Sequence, residues 1–443
     1  MSQPRPPNLL FVLADQHRAD WLGSAGLASL RTPNLDQLAA RGVRFTRAYC
    51  GSPLCAPSRA CLATGRDYDR CGVPDHSVDF PAGMPTFYQH LRAAGYRVGG
   101  CGKFDLHKAS PTWGVAGTHR LAEWGFTDGR DCGGKWDAVH AYLHHGAAQE
   151  PYFATLEARG LAATYAASMQ HRESYEPGGT NPLPDDLYCD NWIAGQARAL
   201  IEAFPRAQPW FLQVNFAGPH EPLDITTAMR ARVAGREFPP PATPGDCRSP
   251  AEHQEIRRHY AAMVENIDRA VGELLPSVEA RGELDRTLVV FASDHGEMLG
   301  DHGRWEKQVP FEAAVRVPLI VAGPNVAGGA TCATAASLTD LGVTFLEVSG
   351  AQPLPEADGE SLAPWFAEPE RKARRIVRCG LGPWRMATDG VHKLVTGFVS
   401  ETSPAAESAQ LFRVDGTEAA GVLENEHGIG TALAAALQGG RNA

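Results

Sequence analysis

No stretch of this chain approaches the roughly 20 consecutive apolar residues that a membrane-spanning helix needs. The apolar run nearest the N-terminus, Leu9–Ala14, ends on Asp15 and is too short for the core of a signal peptide. The residues ahead of it, Met1–Pro7, are polar and proline-rich. A cytoplasmic protein without a membrane partner is therefore expected. Paired Cys-x-x-Cys elements are also missing. The 10 cysteines lie at irregular spacings, which fits neither a disulfide framework nor a structural zinc site. There is no excess of positive charge. The net charge of −10 argues against a nucleic-acid partner. It leaves a small anionic substrate open, because local charge in a pocket decides that. Internal repeats and low-complexity segments are absent as well.

What is present is ordinary globular material: 443 residues, 43% hydrophobic and 21% charged. That length allows one large α/β domain and a smaller one. Asn8–Ala14 reads as a strand buried on both faces of a parallel sheet. Thr32–Gly42 reads as a helix with Thr32 as N-cap, Pro33 in the first turn and Gly42 as C-cap. Further strands are expected over Val43–Tyr49, through Val98 to Gly102-Lys103, over Trp210–Phe216, Thr287–Ala292 and Pro318–Ala322. Helices are expected over Pro85–Gly95, Ala251–Leu275 and Leu338–Val348. In the long one Ile256, Tyr260, Met263, Ile267, Val271 and Leu274 form an apolar stripe. This alternation predicts an α/β fold with a mainly parallel sheet. Residues 109–187 show weak periodicity and read as long substrate loops, in which Trp113, Trp124, Trp136, His140, His144 and His145 are available to line a pocket. A boundary falls near residue 370, after a proline-rich stretch and the charge run Glu368–Arg375. Beyond it, short strands over Ile376–Cys379, Trp384–Thr388, His392–Val395 and Gln410–Val414, then a helix over Thr431–Leu437, predict a small α+β subdomain over 371–443. The catalytic domain is then 1–370.

Polar groups recur just after the strands: Asp15, Lys103, His220, Asp294 and His295. Ligands of open α/β sheets bind at the carboxyl ends of the strands, so these groups point to one site. Singly, each has a plainer reading: an aspartate at a strand end is commonly a helix N-cap, and a lysine such as Lys307 commonly lies on the surface. Together Asp15, Asp294 and His295 suit a divalent cation. Carboxylate oxygens favour calcium or magnesium, and the imidazole admits manganese or zinc. Arg59, Lys103 and Lys307 would make a cationic cradle for a tetrahedral oxyanion, and His220 is placed for general acid or base work. Cys55-Ala-Pro-Ser-Arg59 puts a thiol beside a guanidinium, so Cys55 is either a nucleophile or a buried structural cysteine in a loop.

These pieces, in this order, resemble the type I sulfatases of the alkaline phosphatase superfamily. The resemblance rests on Asn8–Gln16, Cys55–Arg59 with its trailing Thr-Gly-Arg66, Gly95-Tyr96, Gly102-Lys103 and Pro219-His220. Ser293-Asp-His-Gly-Glu-Met-Leu-Gly-Asp-His-Gly303, Arg316-Val-Pro-Leu-Ile320 and Tyr260, Asp268 and Gly272 of the long helix complete it. It implies an alkaline phosphatase-like sandwich and hydrolysis of a sulfate ester. It also implies that Cys55 is oxidised to formylglycine by a formylglycine-generating or maturase enzyme, which reads Pro57, Ser58 and Arg59. In the family one hydroxyl of the hydrated aldehyde, held on the metal, attacks sulfur, and the other later helps expel sulfate. The resemblance gives Asp15, Asp294, His295 and residue 55 to the metal, with Gln16 as a weak ligand or an outer donor. Arg59 would hold the diol, Lys103 and Lys307 the sulfate oxygens, and His220 or Lys307 would assist the leaving group. His76 and His107 are expected near the substrate. Gln16 and His295 stand where many members carry Asp and Asn, which brings the chain closer to the choline sulfatase and phosphonate monoester hydrolase branch. Asp105 stands where the family usually has a histidine. It is open to acting as a base, binding a cationic substrate group, or pairing with His107 or Lys108. The alternatives are a phosphonate monoester or phosphodiester hydrolase on the same scaffold and an inactive sulfatase-like binding protein. A homo-oligomer is compatible with the tail.

Overall fold

The computed structural model describes residues 5–170, 172–176, 179–243, 245–373, 375–399, 409–414 and 427–439. Met1–Pro4 of the N-terminal segment and Arg374 of the charge run lie outside them. β1 (Asn8–Asp15) is buried along its whole length. Its side chains alternate between two cores, as the two-residue period of a strand requires. Leu9, Phe11 and Leu13 face one core, shared with the helices Cys55–Thr64, Phe87–Ala93 and Thr339–Ser349. Leu10, Val12 and Ala14 face the other, shared with Cys189–Ala203 and Pro250–Ala280. Helices therefore cover both faces, and this is why β1 reads as an uninterrupted apolar run. Each fully buried Leu or Phe contributes about 1.5–3 kcal/mol.

The remaining strands of the large sheet are β2 (Gly42–Tyr49), β3 (Arg97–Gly102), β4 (Asp128–Asp131), β5 (Trp210–Pro219), β6 (Thr287–Ser293), β7 (Arg316–Ala322), β8 (Ala330–Cys332) and β9 (Ala336–Ser337). Their order is β4-β3-β5-β1-β6-β7-β2-β8, with β9 beside β2. Only β7 runs against its neighbours β6 and β2; the other pairings are parallel. The expected three-layer α/β sandwich with a mainly parallel sheet is present.

Details differ where local capping met tertiary demand. Thr32 does not cap its helix; its hydroxyl bonds the Asp36 carboxylate, and Gly42 already begins β2. The long helix starts with a capping box of Ser249 and Glu252 and runs to Ala280, past Pro276. Residues 109–187 are not continuous loop. They contain the helices Trp136–His145, Pro151–Ala158 and Ala162–Met169, whose apolar faces join the second core.

The C-terminal strands β10 (Val377–Leu381), β11 (Trp384–Thr388), β12 (His392–Thr396) and β13 (Gln410–Arg413) form an antiparallel sheet. One face contributes Val377, Cys379, Trp384, Met386 and Val395 to the first core of the main body. The other packs Ala387, Leu394 and Leu411 under the helix His427–Gly439. Among the described residues, no helix is long and apolar enough to cross a membrane.

Candidate active site

The site grows from strand register. β1 and β6 are adjacent, with Ala14 opposite Ser293, so the next residues, Asp15 and Asp294, emerge side by side at the carboxyl ends. β5 flanks β1 on the other side and delivers His220 directly after Pro219. β3, next to β5, ends on Gly102 and hands over to Lys103. Gly102 is required there. Its φ is +99°, and a Cβ would lie 1.9 Å from the Asn215 carbonyl oxygen.

Cys55 enters from the opposite side. It is the first residue of a helix, not a loop residue, and is fully buried. The Ser58 hydroxyl donates to the Asp294 carbonyl at 2.6 Å, fixing the helix against the sheet. One turn on, Arg59 spans both carboxylates, with Nε 2.9 Å from Asp294 Oδ2 and Nη2 3.2 Å from Asp15 Oδ2. Its Nη1 also donates to the Lys103 carbonyl. Cys55 Sγ lies 3.2 Å from His295 Nε2 and 3.7 Å from Asp15 Oδ1. Donor atoms of Asp15, Cys55, Asp294 and His295 all fall within 4.8 Å of one another. Two carboxylates, an imidazole and residue 55, buried and convergent, are a donor set that fits a divalent cation.

Electrostatics follow from this crowding. Burial and the nearby Cys55 sulfur oppose ionisation of Asp15, yet Lys103, His220 and Arg59 outweigh them and hold it below the usual carboxylate range. Asp294 is pushed up by burial and by Asp15. Burial alone would raise the Cys55 thiol, but Lys103, Lys307 and His295 bring it well below its ordinary value. The N-terminus of its helix adds to that preference for negative charge. Position 55 thus favours negative charge.

The cations gather on the cleft side. Lys103 Nζ is 2.5 Å from Asp15 Oδ2 and 3.9 Å from Cys55 Sγ. Lys307 is buried, contrary to the usual fate of lysine, with Nζ 2.7 Å from His220 Nε2. Gln16 sits behind them at a φ of +71°. Its backbone N–H donates to Asp294 Oδ1 at 3.1 Å and its carbonyl oxygen accepts from Tyr260 at 2.6 Å. Its side chain accepts from Lys307 and donates to Glu221 at 2.7 Å and to Glu297. Gln16 therefore links Asp294 to Lys307, Glu221 and Glu297. Asp105, at a φ of +53°, lies 2.9 Å from Lys103 Nζ and 3.5 Å from Lys108 Nζ. Of the partners left open in the sequence, Lys108 is the one it meets.

A cleft of ≈ 970 Å³ opens over these groups, and Lys103, His220, Lys307 and His76 line it. His107 does not. It is buried against Trp113 and Trp124, with Nε2 2.6 Å from Asp131, so its expected place near the substrate is corrected to a packing role. Of the aromatic candidates, Trp136 and His140 reach the cleft. Trp113 and Trp124 are buried in packing, and His144 and His145 are exposed at a helix end.

Two groups were not singled out in the sequence. Lys135 is buried, and its Nζ donates to the His220 carbonyl at 2.7 Å, the Pro222 carbonyl at 2.6 Å and Asp224 at 3.0 Å. Glu221 and Glu297 flank the Gln16 amide. Burial and Glu221 push Glu297 up to about 7, while Glu221 is held down near 2 because His220 and Lys307 outweigh its own burial. Glu221 directly follows Pro219-His220 and Glu297 lies within Ser293–Gly303, whereas Lys135 is far in sequence from every quoted motif.

The fold is of the alkaline phosphatase-like sandwich type. The sulfatase family model matches residues 7–351, and the chain belongs to that family. Choline-sulfatase of Rhizobium meliloti is 29% identical over 402 residues, covering 82% of this chain and 72% of that protein. N-acetylglucosamine-6-O-sulfatase of Bacteroides thetaiotaomicron is 25% identical, covering 82% of this chain and 71% of its own. Among solved structures, the phosphonate monoester hydrolase of Agrobacterium radiobacter superposes with a TM-score of 0.80 at 22% identity, covering 98% of this chain and 95% of that one.

Proposed function

We propose that this sulfatase hydrolyses a sulfate monoester using formylglycine made from Cys55. The observation that carries the reading is the meeting of Asp15, Asp294, His295 and residue 55 within 4.8 Å, beside Arg59, Lys103 and Lys307. Asp15, Asp294, His295 and residue 55 would hold one divalent cation, calcium first on the oxygen-rich donor set, with magnesium, manganese or zinc also admissible. When bound, it supplies Lewis-acid stabilisation of negative charge. The Cys55 sulfur marks where the formylglycine oxygens stand. Arg59 bridges the two carboxylates and offsets their charge. Lys103 and Lys307 bind the non-bridging sulfate oxygens and neutralise charge that builds there. A hydroxyl oxygen of the hydrated aldehyde at residue 55 would form the new bond to sulfur as the ester S–O bond breaks, while His220 Nε2, beside Lys307 in the cleft, would pass a proton to the departing alcohol oxygen; loss of the proton from the second hydroxyl would then break the C–O bond to sulfate and restore the aldehyde. Asp105 holds Lys103 and Lys108 at the floor of the cleft, and His76 lies on its wall. A small sulfated substrate, a formylglycine-generating or maturase partner and a cytoplasmic setting go with this reading.

Two measurements test it. The mass of the peptide containing Cys55 should be that of the aldehyde in active protein; unmodified cysteine in fully active protein would refute the maturation. Initial rates on aryl sulfate, aryl phosphonate and phosphodiester should favour the sulfate. A phosphonate or phosphodiester rate far above it assigns the cradle to phosphoryl esters instead.

A further inference from the structure

We propose that Trp384 of the C-terminal sheet is a positioning residue for the reaction: its indole N–H holds the Gln308 backbone in a left-handed turn, and that turn aims Lys307 at His220. The proposal rests on the sulfate-ester reading above and extends it to a residue that does not line the cleft.

Lys307 stands between two residues in a disfavoured backbone conformation. Glu306 has a φ of +66° and Gln308 a φ of +74°, and neither is glycine. The left-handed region is costly for residues that carry a Cβ. Residues held there persist only where their surroundings fix them, and they gather at functional sites. Left to itself, the segment would relax to negative φ and carry the lysine with it.

Backbone hydrogen bonds fix both flanks. On the near side, the Glu306 N–H donates to Glu297 Oε1 at 2.9 Å and to the Tyr175 hydroxyl at 3.0 Å. The Glu306 carbonyl accepts from the Met298 N–H at 2.7 Å. On the far side, the Gln308 N–H donates to the carbonyl of Pro53, two residues before Cys55, at 3.1 Å. The Gln308 carbonyl accepts from Trp384 Nε1 at 3.2 Å. The Gln308 side chain is exposed, so these two backbone bonds are what anchor it. Trp384 is a firm anchor. It opens β11, is 4% exposed and packs in the first core. A buried indole N–H needs a partner, and a plain core tryptophan would find one at any nearby carbonyl. Here the partner is the left-handed residue next to a cation of the site.

What this arrangement aims is the Lys307 ammonium. An ammonium has three N–H donors. One goes to Gln16 and one to His220 Nε2 at 2.7 Å, which leaves the third for a sulfate oxygen. Rotation at Gln308 would move Nζ off both partners at once. A misplacement of about 1 Å at the chemistry costs about 10²-fold in rate.

The test uses the full-length protein and has two arms. In the first, Trp384→Phe keeps an aromatic ring in the core and removes the N–H. Amide hydrogen exchange of the peptide spanning residues 304–309, read by mass spectrometry, should speed up about fivefold or more, while β1 stays unchanged. This arm needs no turnover. In the second, kcat/KM is measured over phenyl sulfates from 4-nitro to 4-methoxy. Trp384→Phe should lower it about tenfold or more for the poorest leaving group and steepen the leaving-group dependence, because Lys307 acts beside His220 on the departing oxygen. Loosened packing alone would lower every member of the series by one factor. Gln308→Val and Gln308→Asn repeat the test without touching the core, and decide it if Trp384→Phe does not fold. Asparagine tolerates positive φ and a β-branched residue does not, so the Val variant should fall about tenfold or more below the Asn variant. Unchanged exchange, an unchanged leaving-group slope, or equal Val and Asn variants would overturn the proposal. Wild-type protein that turns over no aryl sulfate, with faster exchange in Trp384→Phe, would overturn the sulfatase reading and leave the hold of Trp384 on Gln308 supported.

Discussion

Cys55 sits where burial forbids a free charge and three cations demand one, and this tension governs the residues around it. Replacing it with alanine removes the precursor of the proposed nucleophile but leaves the Arg59 bridge in place. Turnover of aryl sulfate should fall by about 10³-fold or more, with little change in Tm. His220→Gln should cost about 10²–10⁴-fold on esters of poor leaving groups and less on aryl sulfates, whose alcohols leave without a proton. A slope of log kcat/KM against leaving-group pKa that stays the same as wild type would remove His220 from that role. His17, at the turn after β1, contributes to the loss of stability in acid. Its Nε2 donates to the Trp21 carbonyl at 2.8 Å, and burial lowers its pKa from 6.5 to about 4. The unfolded chain therefore takes up the proton first. Stability is intact above pH 6.5 and declines as pH falls towards 4, by about 3 kcal/mol in all. Urea unfolding at pH 7 and pH 4.5 should show the loss, and His17→Gln should shrink it.

At the scale of elements, the turn after β5 depends on one lysine. Lys135, just ahead of the Trp136–His145 helix, clamps the carbonyls on either side of Glu221, and its partner Asp224 is also held by Tyr165 at 3.0 Å and Asn181 at 2.9 Å. Lys135→Met strips the two carbonyls and Asp224 Oδ1 of their lysine donor. It should destabilise the protein by roughly 3 kcal/mol and lower kcat, with most of the loss on substrates that need His220. Lys135→Arg should restore part of both. A Tm drop with unchanged leaving-group dependence would reduce Lys135 to a packing role. The strands of this element set were legible because β1, β5 and β6 are apolar on both faces, and the sheet interior tolerates little else. The helix at Cys55 was not. Its residues are all buried, so it lacks the polar face that gives a helix its period. The helices within 109–187 were missed for a related reason, since they pack largely on one another and on the second core, with short stripes.

Across the whole molecule, the C-terminal sheet shares the first core, so it is a structural partner of the catalytic body. Ending the chain at residue 370 uncovers that core and should yield insoluble protein; a soluble, active truncation would show the sheet to be dispensable. The carboxylate cluster predicts a second whole-molecule response. A cation that binds the folded site and not the unfolded chain should raise stability by about 2.7 kcal/mol at a hundredfold excess over its Kd. Thermal melts with calcium, magnesium, manganese and zinc should show this rise, and Asp294→Asn should erase it. The sequence by itself determined the alternation of buried strands and helices, the polar residues waiting at the strand ends, and the Cys55–Arg59 and Asp294–Gly303 motifs. These depend on local spacing and side-chain chemistry, which a linear reading preserves. Only the tertiary structure decided which side chains meet. It turned His107 inward to Asp131, set Gln16 behind the cluster, gave Asp105 to Lys103 and Lys108, and put Lys135 under His220. It also brought Leu54, next to Cys55, and Leu381, more than three hundred residues away, around one cavity. Such pairings depend on strand register and crossover geometry, and no local property of the chain encodes them.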